Sequence, residues 1–516
     1  MAGSEHTARP GLLRAALAVA VAAGAFGTAG AAADEAEDDA RAGSPGPNIV
    51  VVIADDQTAD MFNKRTMPFT RRTLGKGGTT FTDAVVTSPF CCPSRASFLT
   101  GQYTHNHGAW NSYRTFDRPR EQLASWLGAE GYRTAMVGKY LNHYEDSVNP
   151  GTRPGLGWDQ WRMLLEPLSY YDYDVSVNGR RVHKGSSDKD YATSYLNRQA
   201  TDLVDRWARK AEPFFLWYAP HAPHDEKQRS KGSCAGRAVP APGDEDLFAH
   251  TRLPRPPSFD EGNVSDKPKF MKRLPRLWKD DVDEMTRRYR CRLASLREID
   301  RGVAGIAREL RRRNELDDSV IVFTSDNGLF HGEHRLRDGK RLPYAEAVEV
   351  PLVARIPSSV AGGPTASRVV RPVANIDLAP TLLDLAGAGP CSAPGRCRVM
   401  DGRSMVPLIL GNAGAWPRDR GRILEMRNCR YTSLLTTEEL VVHHISTPRR
   451  AGRRGCTRRE AYERYDMVDD PFQLHSRAKK RGDIPDPLRL RLNRTKDCVG
   501  IEGRDPAPPP GRTYCE

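Results

Sequence analysis

The chain has 516 residues, 39% hydrophobic and 28% charged, with 78 Lys plus Arg against 65 Asp plus Glu and a formal charge of +13. It is too apolar for a disordered chain and too long for one ordinary core, so a large domain with a smaller one packed on it is expected. Beyond the N-terminus no run of about 18 apolar residues occurs, which excludes a multi-span membrane protein.

Residues 1–33 read as an export signal. Arg9 and Arg14 flank the short apolar run Ala15 to Gly27, and Ala31-Ala32-Ala33 offers small residues for cleavage. The expected location is secreted or extracytoplasmic, with no integral membrane span. Residues 34–46, acidic and then rich in Gly, Pro and Ser, read as a disordered leader. The basic surplus is Arg-dominated and carries no nucleic-acid motif, so nucleic acid is not an expected partner. A sulfated or carboxylated polymer suits a basic exported protein better, and a general Arg-rich compositional bias is the competing explanation.

Four short apolar runs then follow: Ile49 to Ala54, Thr134 to Val137, Phe214 to Ala219 and Val320 to Thr324. Runs of this kind, apolar on both faces, predict strands of a largely parallel sheet covered by helices. Between the third and fourth, Leu293, Leu296, Ile299, Val303, Ile306 and Leu310 recur at helical spacing. The predicted fold class is α/β: a large central, mostly parallel sheet flanked by helices, with a smaller C-terminal α+β subdomain. The catalytic domain is placed at 47–390 and the C-terminal subdomain, with a Pro/Arg-rich tail, at 391–516. There, Ile423 to Met426 and Glu438 to His443 read as strands, and Tyr465-Asp466 as part of a turn region.

Each apolar run ends in reactive residues: Asp55-Asp56, Lys139, His221 and Asp326-Asn327. Sites in open α/β sheets lie beyond the carboxyl ends of the strands, so these endings are expected to converge.

Export permits disulfides. Of ten cysteines, Cys91 and Cys92 are adjacent and set apart by context. Short loops favour Cys391–Cys397, Cys429–Cys456 and Cys498–Cys515, leaving Cys234–Cys291, although eight cysteines allow about 105 connectivities. No C-x-x-C pair occurs, so a structural zinc is not expected.

Ser88 to Gly101 reads S-P-F-C-C-P-S-R-A-S-F-L-T-G. It resembles the signature C-x-P-S-R-x-x-x-L-T-G of the type I sulfatases, in the alkaline-phosphatase-like superfamily. Further stretches are similar to that family: Asn48 to Asp56, Gly138 to Asn142 (G-K-Y-L-N), Ala219 to Pro223, Asp326-Asn327-Gly328 and Glu463 to Pro471. Gly157 to Trp161 and Tyr170 to Tyr173 are similar to stretches in N-acetylglucosamine-6-sulfatases.

The resemblance implies that Cys91 is oxidised to formylglycine, which requires a formylglycine-generating enzyme as a maturation partner. It implies a sulfate-ester substrate, a sulfated sugar or an aryl sulfate. Sulfate esters resist hydrolysis because their oxygens repel an anionic nucleophile, so a catalyst must neutralise charge and position a strong nucleophile. A formylglycine hydrate has one hydroxyl to attack sulfur and a second to expel sulfate afterwards. Asp55, Asp56, Asp326 and Asn327, with the modified Cys91, are the expected metal ligands. Their oxygen donors select Ca2+, with Mg2+ as the alternative, over zinc. Arg95, four residues after Cys91, shares its helical face and steadies the nucleophile. Lys139 and Lys340 are expected sulfate clamps, and His221 a contact to the sulfate or leaving oxygen, with His224 its rival.

Leu141 stands where many family members carry a histidine, and His143 or Asn142 is the candidate replacement. For His105 and His107 a capping or packing role competes with catalysis on at least equal terms, and His331 and His334 are candidate substrate-pocket residues. Two other functions compete: hydrolysis of phosphonate or phosphate esters on the same scaffold, and non-catalytic binding of polyanions.

Overall fold

The computed structural model describes residues 46–227, 232–427, 429–449 and 455–516; the expected export signal and residues 34–45 of the leader lie outside them. Among the described residues, ten strands form the main sheet: β1 (Asn48–Ala54), β2 (Thr79–Phe81), β3 (Arg133–Gly138), β4 (Gln160–Leu164), β5 (Tyr173–Val177), β6 (Arg180–Lys184), β7 (Phe214–Ala219), β8 (Ser319–Ser325), β9 (Leu352–Arg355) and β10 (Arg368–Val369). Their order is β10-β2-β9-β8-β1-β7-β3-β4-β5-β6. The central five, β8-β1-β7-β3-β4, are parallel, and antiparallel strands extend both sides. All four predicted strands are present within one residue at either end.

Both faces of β1 are buried, which explains its unbroken apolar sequence. Ile49, Val51 and Ile53 point into one core with α1 (Cys91–Thr100), α2 (Leu123–Ala129) and α5 (Leu378–Ala386). Val50, Val52 and Ala54 point into a second core with α3 (Ala192–Trp207) and α4 (Lys279–Arg312). The period of two along the strand thus serves two helical layers. Burial of each Val or Ile side chain contributes about 1.5–3 kcal/mol.

The six apolar positions expected to face inward on α4 are all buried. The helix begins fourteen residues before that pattern, at Lys279. Its first turn holds Asp280 and Asp281, and Asp281 Oδ2 accepts from the Trp278 N–H at 3.0 Å. Arg311 and Arg312 close the last turn, so both ends complement the helix dipole.

Beyond residue 390 a second sheet, β11 (Arg422–Met426), β12 (Tyr431–Leu435), β13 (Glu439–His444) and β14 (Ala461–Asp466), is antiparallel throughout. Tyr465-Asp466, expected within a turn, ends β14: Tyr465 is fully buried and pairs with Leu440, and the turn follows it. Ile423, Leu434, Val441 and Tyr465 share the first core with α1.

The tail is tied down. Arg512 donates to the Asp497 and Cys498 carbonyls, and Glu516 meets Arg420 and Arg403. Four disulfides join Cys234–Cys291, Cys391–Cys397, Cys429–Cys456 and Cys498–Cys515, the pairing that short loops favour, and Cys91 and Cys92 are free and buried.

Candidate active site

Strands β8, β1, β7 and β3 are neighbours in that order and run the same way. Their carboxyl ends therefore deliver Asp326-Asn327, Asp55-Asp56, His221 and Lys139 side by side. Gly138 makes one of these placements possible. Its φ is +116°, and an added Cβ would lie 2.0 Å from the Ala219 carbonyl oxygen. Only glycine lets β3 approach β7 this closely, and Lys139 N–H then donates to the same oxygen at 2.7 Å.

Cys91 is the first residue of α1, 2% exposed. One turn on, Arg95 is buried and donates from Nε to Asp326 Oδ2 at 2.8 Å and from Nη1 to the Lys139 carbonyl at 2.8 Å. Its Nη2 is 3.7 Å from Asp55 Oδ1. Lys139 Nζ donates to Asp55 Oδ2 at 2.6 Å, and His221 Nδ1 is 3.3 Å from the same oxygen. Lys340 Nζ contacts Asp56 Oδ1, Asn327 Oδ1 at 3.2 Å and Cys91 Sγ at 3.0 Å. Asn327 Nδ2 donates to Asp56 Oδ1 at 2.7 Å, and Asp56 N–H to Asp326 Oδ1 at 3.0 Å.

Charge pairing overcomes desolvation unevenly. Burial pushes Asp55 up, but Lys139, His224, His221 and Arg95 hold it well below the usual carboxylate range. Asp56 is likewise lowered, against burial, chiefly by Lys340. Burial prevails at Asp326, raised to about 6 despite Arg95. Burial also pushes the Cys91 thiol up to about 11, against Lys139 and Lys340.

The carboxylate oxygens of the cluster are donors that fit a divalent cation. Asp55, Asp56, Cys91 and His224 each bring a ligand atom within 4.8 Å of the others. Asp55 Oδ1 is buried with no hydrogen-bond partner, an acceptor left for a cation. His221 Nε2 and Arg95 Nη2 are also buried without hydrogen-bond partners, as expected where an anion would bind.

The other expected residues fall elsewhere. His143 stands on the cavity rim in a left-handed conformation, exposed, with Nδ1 3.1 Å from Asp146 Oδ2. Leu141 is buried in the core. His224 joins His221 in the cluster, with Nε2 3.6 Å from Asp56 Oδ2; burial lowers it to about 4. His105 is bonded to Glu425 and the Cys498 carbonyl, and His107 to Ser97 Oγ. His334 meets Glu261, and His331 accepts from Arg292.

The cluster opens into a cavity of about 880 Å³ lined by Asp56, His224 and Lys340 and also by Asp225, Arg292 and Asp338. The last three gave no signal in the sequence. Arg292 lies among many charged residues of an amphipathic helix, and only the packing of α4 separates it from its solvated neighbours.

The family model described as sulfatase matches residues 47–388, and one described as N-sulphoglucosamine sulphohydrolase, C-terminal, matches residues 332–496. The chain is 33% identical over 393 residues to an extracellular sulfatase SULF-1 homolog of Drosophila melanogaster, covering 72% of this chain and 32% of that protein. It is 32% identical over 391 residues to an N-acetylglucosamine-6-sulfatase of Capra hircus, covering 73% of this chain and 66% of that protein. The chain thus spans less than two thirds of the length of both relatives. A solved structure of a protein in complex with its substrate D-glucosamine-2-N,6-O-disulfate has the same fold, with a TM-score of 0.64, 21% identity and coverage of 84% of this chain and 93% of that one. With the family match running from β1 through α5, and so through every strand end that builds the cluster, this chain belongs to the sulfatase family.

Proposed function

We propose that this protein is an exported sulfuric ester hydrolase that removes sulfate from sugar monoesters of the N-acetylglucosamine-6-sulfate kind, with aryl sulfates as accepted surrogates. The observation that carries the reading is the position of Cys91. It opens α1 with Sγ 3.0 Å from Lys340 Nζ, among the buried Asp55 and Asp56 carboxylates. A thiol held up at about 11 is not a thiolate at neutral pH, so unmodified Cys91 is a poor nucleophile there. Conversion to formylglycine resolves this. The names of the relatives and the ligand of the solved structure support a sulfated sugar as substrate.

Asp55, Asp56, Asp326 and Asn327 would hold Ca2+, with Mg2+ as the alternative, and His224 stands beside them. When present, the cation supplies Lewis-acid polarisation and the formylglycine hydrate supplies the attacking hydroxyl. The chain's own residues do the rest. Three carboxylates, Asp55, Asp56 and Asp326, face three cations, Arg95, Lys139 and Lys340. A divalent ion added to that balanced set leaves a positive excess matched to a sulfate group. Lys139 and Lys340 orient the sulfate oxygens, and Arg95 fixes Asp326 and the first turn of α1. His221, with Nδ1 toward Asp55, leaves Nε2 without a protein partner, and that atom would contact the sulfate or the leaving oxygen. Residues 391–516 would form the subdomain that closes the far side of the cavity, where Cys429, His444 and Cys456 line it.

Mass spectrometry of the peptide containing residue 91 tests the reading: the aldehyde is about 18 Da lighter than cysteine. It is run beside assays on matched aryl sulfate and phosphate esters. An active preparation that retains the thiol, or that prefers phosphate, overturns it.

A further inference from the structure

Lys340 reaches the buried cluster from a loop whose backbone is left-handed on both sides of it. Gly339 has φ +103° and Arg341 has φ +80°. A residue with a side chain keeps such a conformation only where its surroundings over-determine it. Upstream of Lys340 the hold is local to the main sheet and its helices. Phe330 N–H donates to the Gly339 carbonyl at 2.9 Å, and Asp338 accepts from Arg288 Nη1 at 2.5 Å. Arg288 and Arg292 of α4 also share Asp225 Oδ2, at 3.8 and 2.9 Å.

Downstream the hold comes from the chain beyond residue 390. The Tyr344 hydroxyl donates to Glu463 Oε2 at 2.8 Å, and both side chains are fully buried. Ala345 N–H donates to Gln473 Oε1 at 2.9 Å. Each of these acceptors is itself fixed. On β13, His444 Nε2 lies 2.6 Å from Glu463 Oε1, and the Tyr465 hydroxyl donates to Glu463 Oε2. Gln473 is buried, and its carbonyl accepts from the buried Lys267 Nζ at 2.8 Å.

A buried carboxylate is costly to desolvate, and an apolar side chain would fill the same space. What Glu463 adds is direction. Three donors converge on its two oxygens, so Tyr344 cannot shift without breaking the set. Only three residues separate Tyr344 from Lys340, at most about 14 Å of extended chain. Leu342 between them is buried in the core, which leaves the segment little slack.

We propose that Glu463 and Gln473 are positioning residues. Through Tyr344 and Ala345 they hold the left-handed loop that keeps Lys340 Nζ against Cys91, Asp56 and Asn327, so the chain beyond residue 390 sets the sulfate clamp. This rests on the sulfatase reading above and adds what aims one of its cations.

The test measures kcat/KM for 4-nitrophenyl sulfate and the inhibition constant of inorganic sulfate. The proteins are wild type, Tyr344→Phe, Gln473→Ala, Lys340→Ala, and each of the first two substitutions combined with Lys340→Ala. Loss of a hydrogen bond to a charged acceptor is expected to lower kcat/KM and raise the sulfate inhibition constant about 10-fold each in Tyr344→Phe. In the Lys340→Ala background the same substitution is expected to change both by less than about twofold, because no ammonium group remains to be aimed. The inhibition constant does not depend on the amount of folded enzyme, so a purely structural loss leaves it unmoved. An inhibition constant within about twofold of wild type in both Tyr344→Phe and Gln473→Ala overturns the proposal, and so do equal losses with and without Lys340. Either result, obtained with an active wild type, leaves the sulfatase reading standing. A wild type with confirmed aldehyde at residue 91 that hydrolyses no sulfate ester overturns that reading and this proposal with it.

Discussion

Arg95 Nε donates to Asp326 Oδ2 at 2.8 Å, and neither side chain reaches solvent. The bond ties the first turns of α1, where Cys91 sits, to the end of β8. Removing one member of a buried pair strands the other charge. Arg95→Ala is expected to lose about 3–5 kcal/mol of stability by chemical denaturation. Arg95→Lys keeps the charge but loses the fork that reaches Asp326 and the Lys139 carbonyl together. Its kcat is expected to fall about 100- to 1,000-fold, measured on an aryl sulfate.

Asp55 Oδ1, which accepts no hydrogen bond, gives a second prediction, on metal content. Asp55→Asn keeps the shape and removes the charge. Bound calcium, read by elemental mass spectrometry after dialysis against a buffered-calcium series, is expected to weaken roughly 100-fold or more. Exhaustive chelation of the wild type should abolish turnover, and added Ca2+ should restore it. Full activity in chelated enzyme would contradict the assignment.

Gly138 makes the third. With φ at +116° and the Ala219 carbonyl 2.0 Å from an added Cβ, Gly138→Ala forces β3 away from β7. A loss of about 2–4 kcal/mol is expected in thermal or denaturant unfolding. Activity should fall further than stability alone explains, because Lys139 moves with the strand.

His105 supplies a pH signature outside the site. Burial would lower its pKa, but Glu425 outweighs it and raises His105 to about 9. A histidine raised in the folded state contributes stability that is complete below its unfolded value near 6.5. That stability is lost as pH rises through about 9. Between about pH 6 and pH 9.5, wild type should lose roughly 3 kcal/mol more than His105→Gln, measured by denaturant titration at each pH. Parallel losses in the two proteins would show that the Glu425 pairing does not store that energy.

Much of the site was legible because its residues follow strands that announce themselves. Ile49 to Ala54 and Val320 to Thr324 are apolar on both faces, so their ends are located to a residue, and Asp55, Asp56, Asp326 and Asn327 stand just past them. The Cys91 signature was legible for the same reason: its residues are contiguous. His143 and His224 show the limit. Both follow a strand end within a few residues, yet the turn after Lys139 leaves His143 on the rim beside Asp146, whereas the turn after His221 brings His224 to Asp56. Turn geometry of this kind depends on what each loop packs against, which local pattern does not encode.

By itself the sequence determined the parallel α/β core, the reactive strand ends and the cysteine at residue 91, because periodicity and contiguous motifs are local properties. The tertiary structure alone decided the strand order that sets four ends abreast, the approach at Gly138 and the union of Asp225, Arg288, Arg292 and Asp338 in one wall. Those contacts join residues far apart in the chain, and they exist only once two helical layers have closed over the sheet and excluded water from the charges between them.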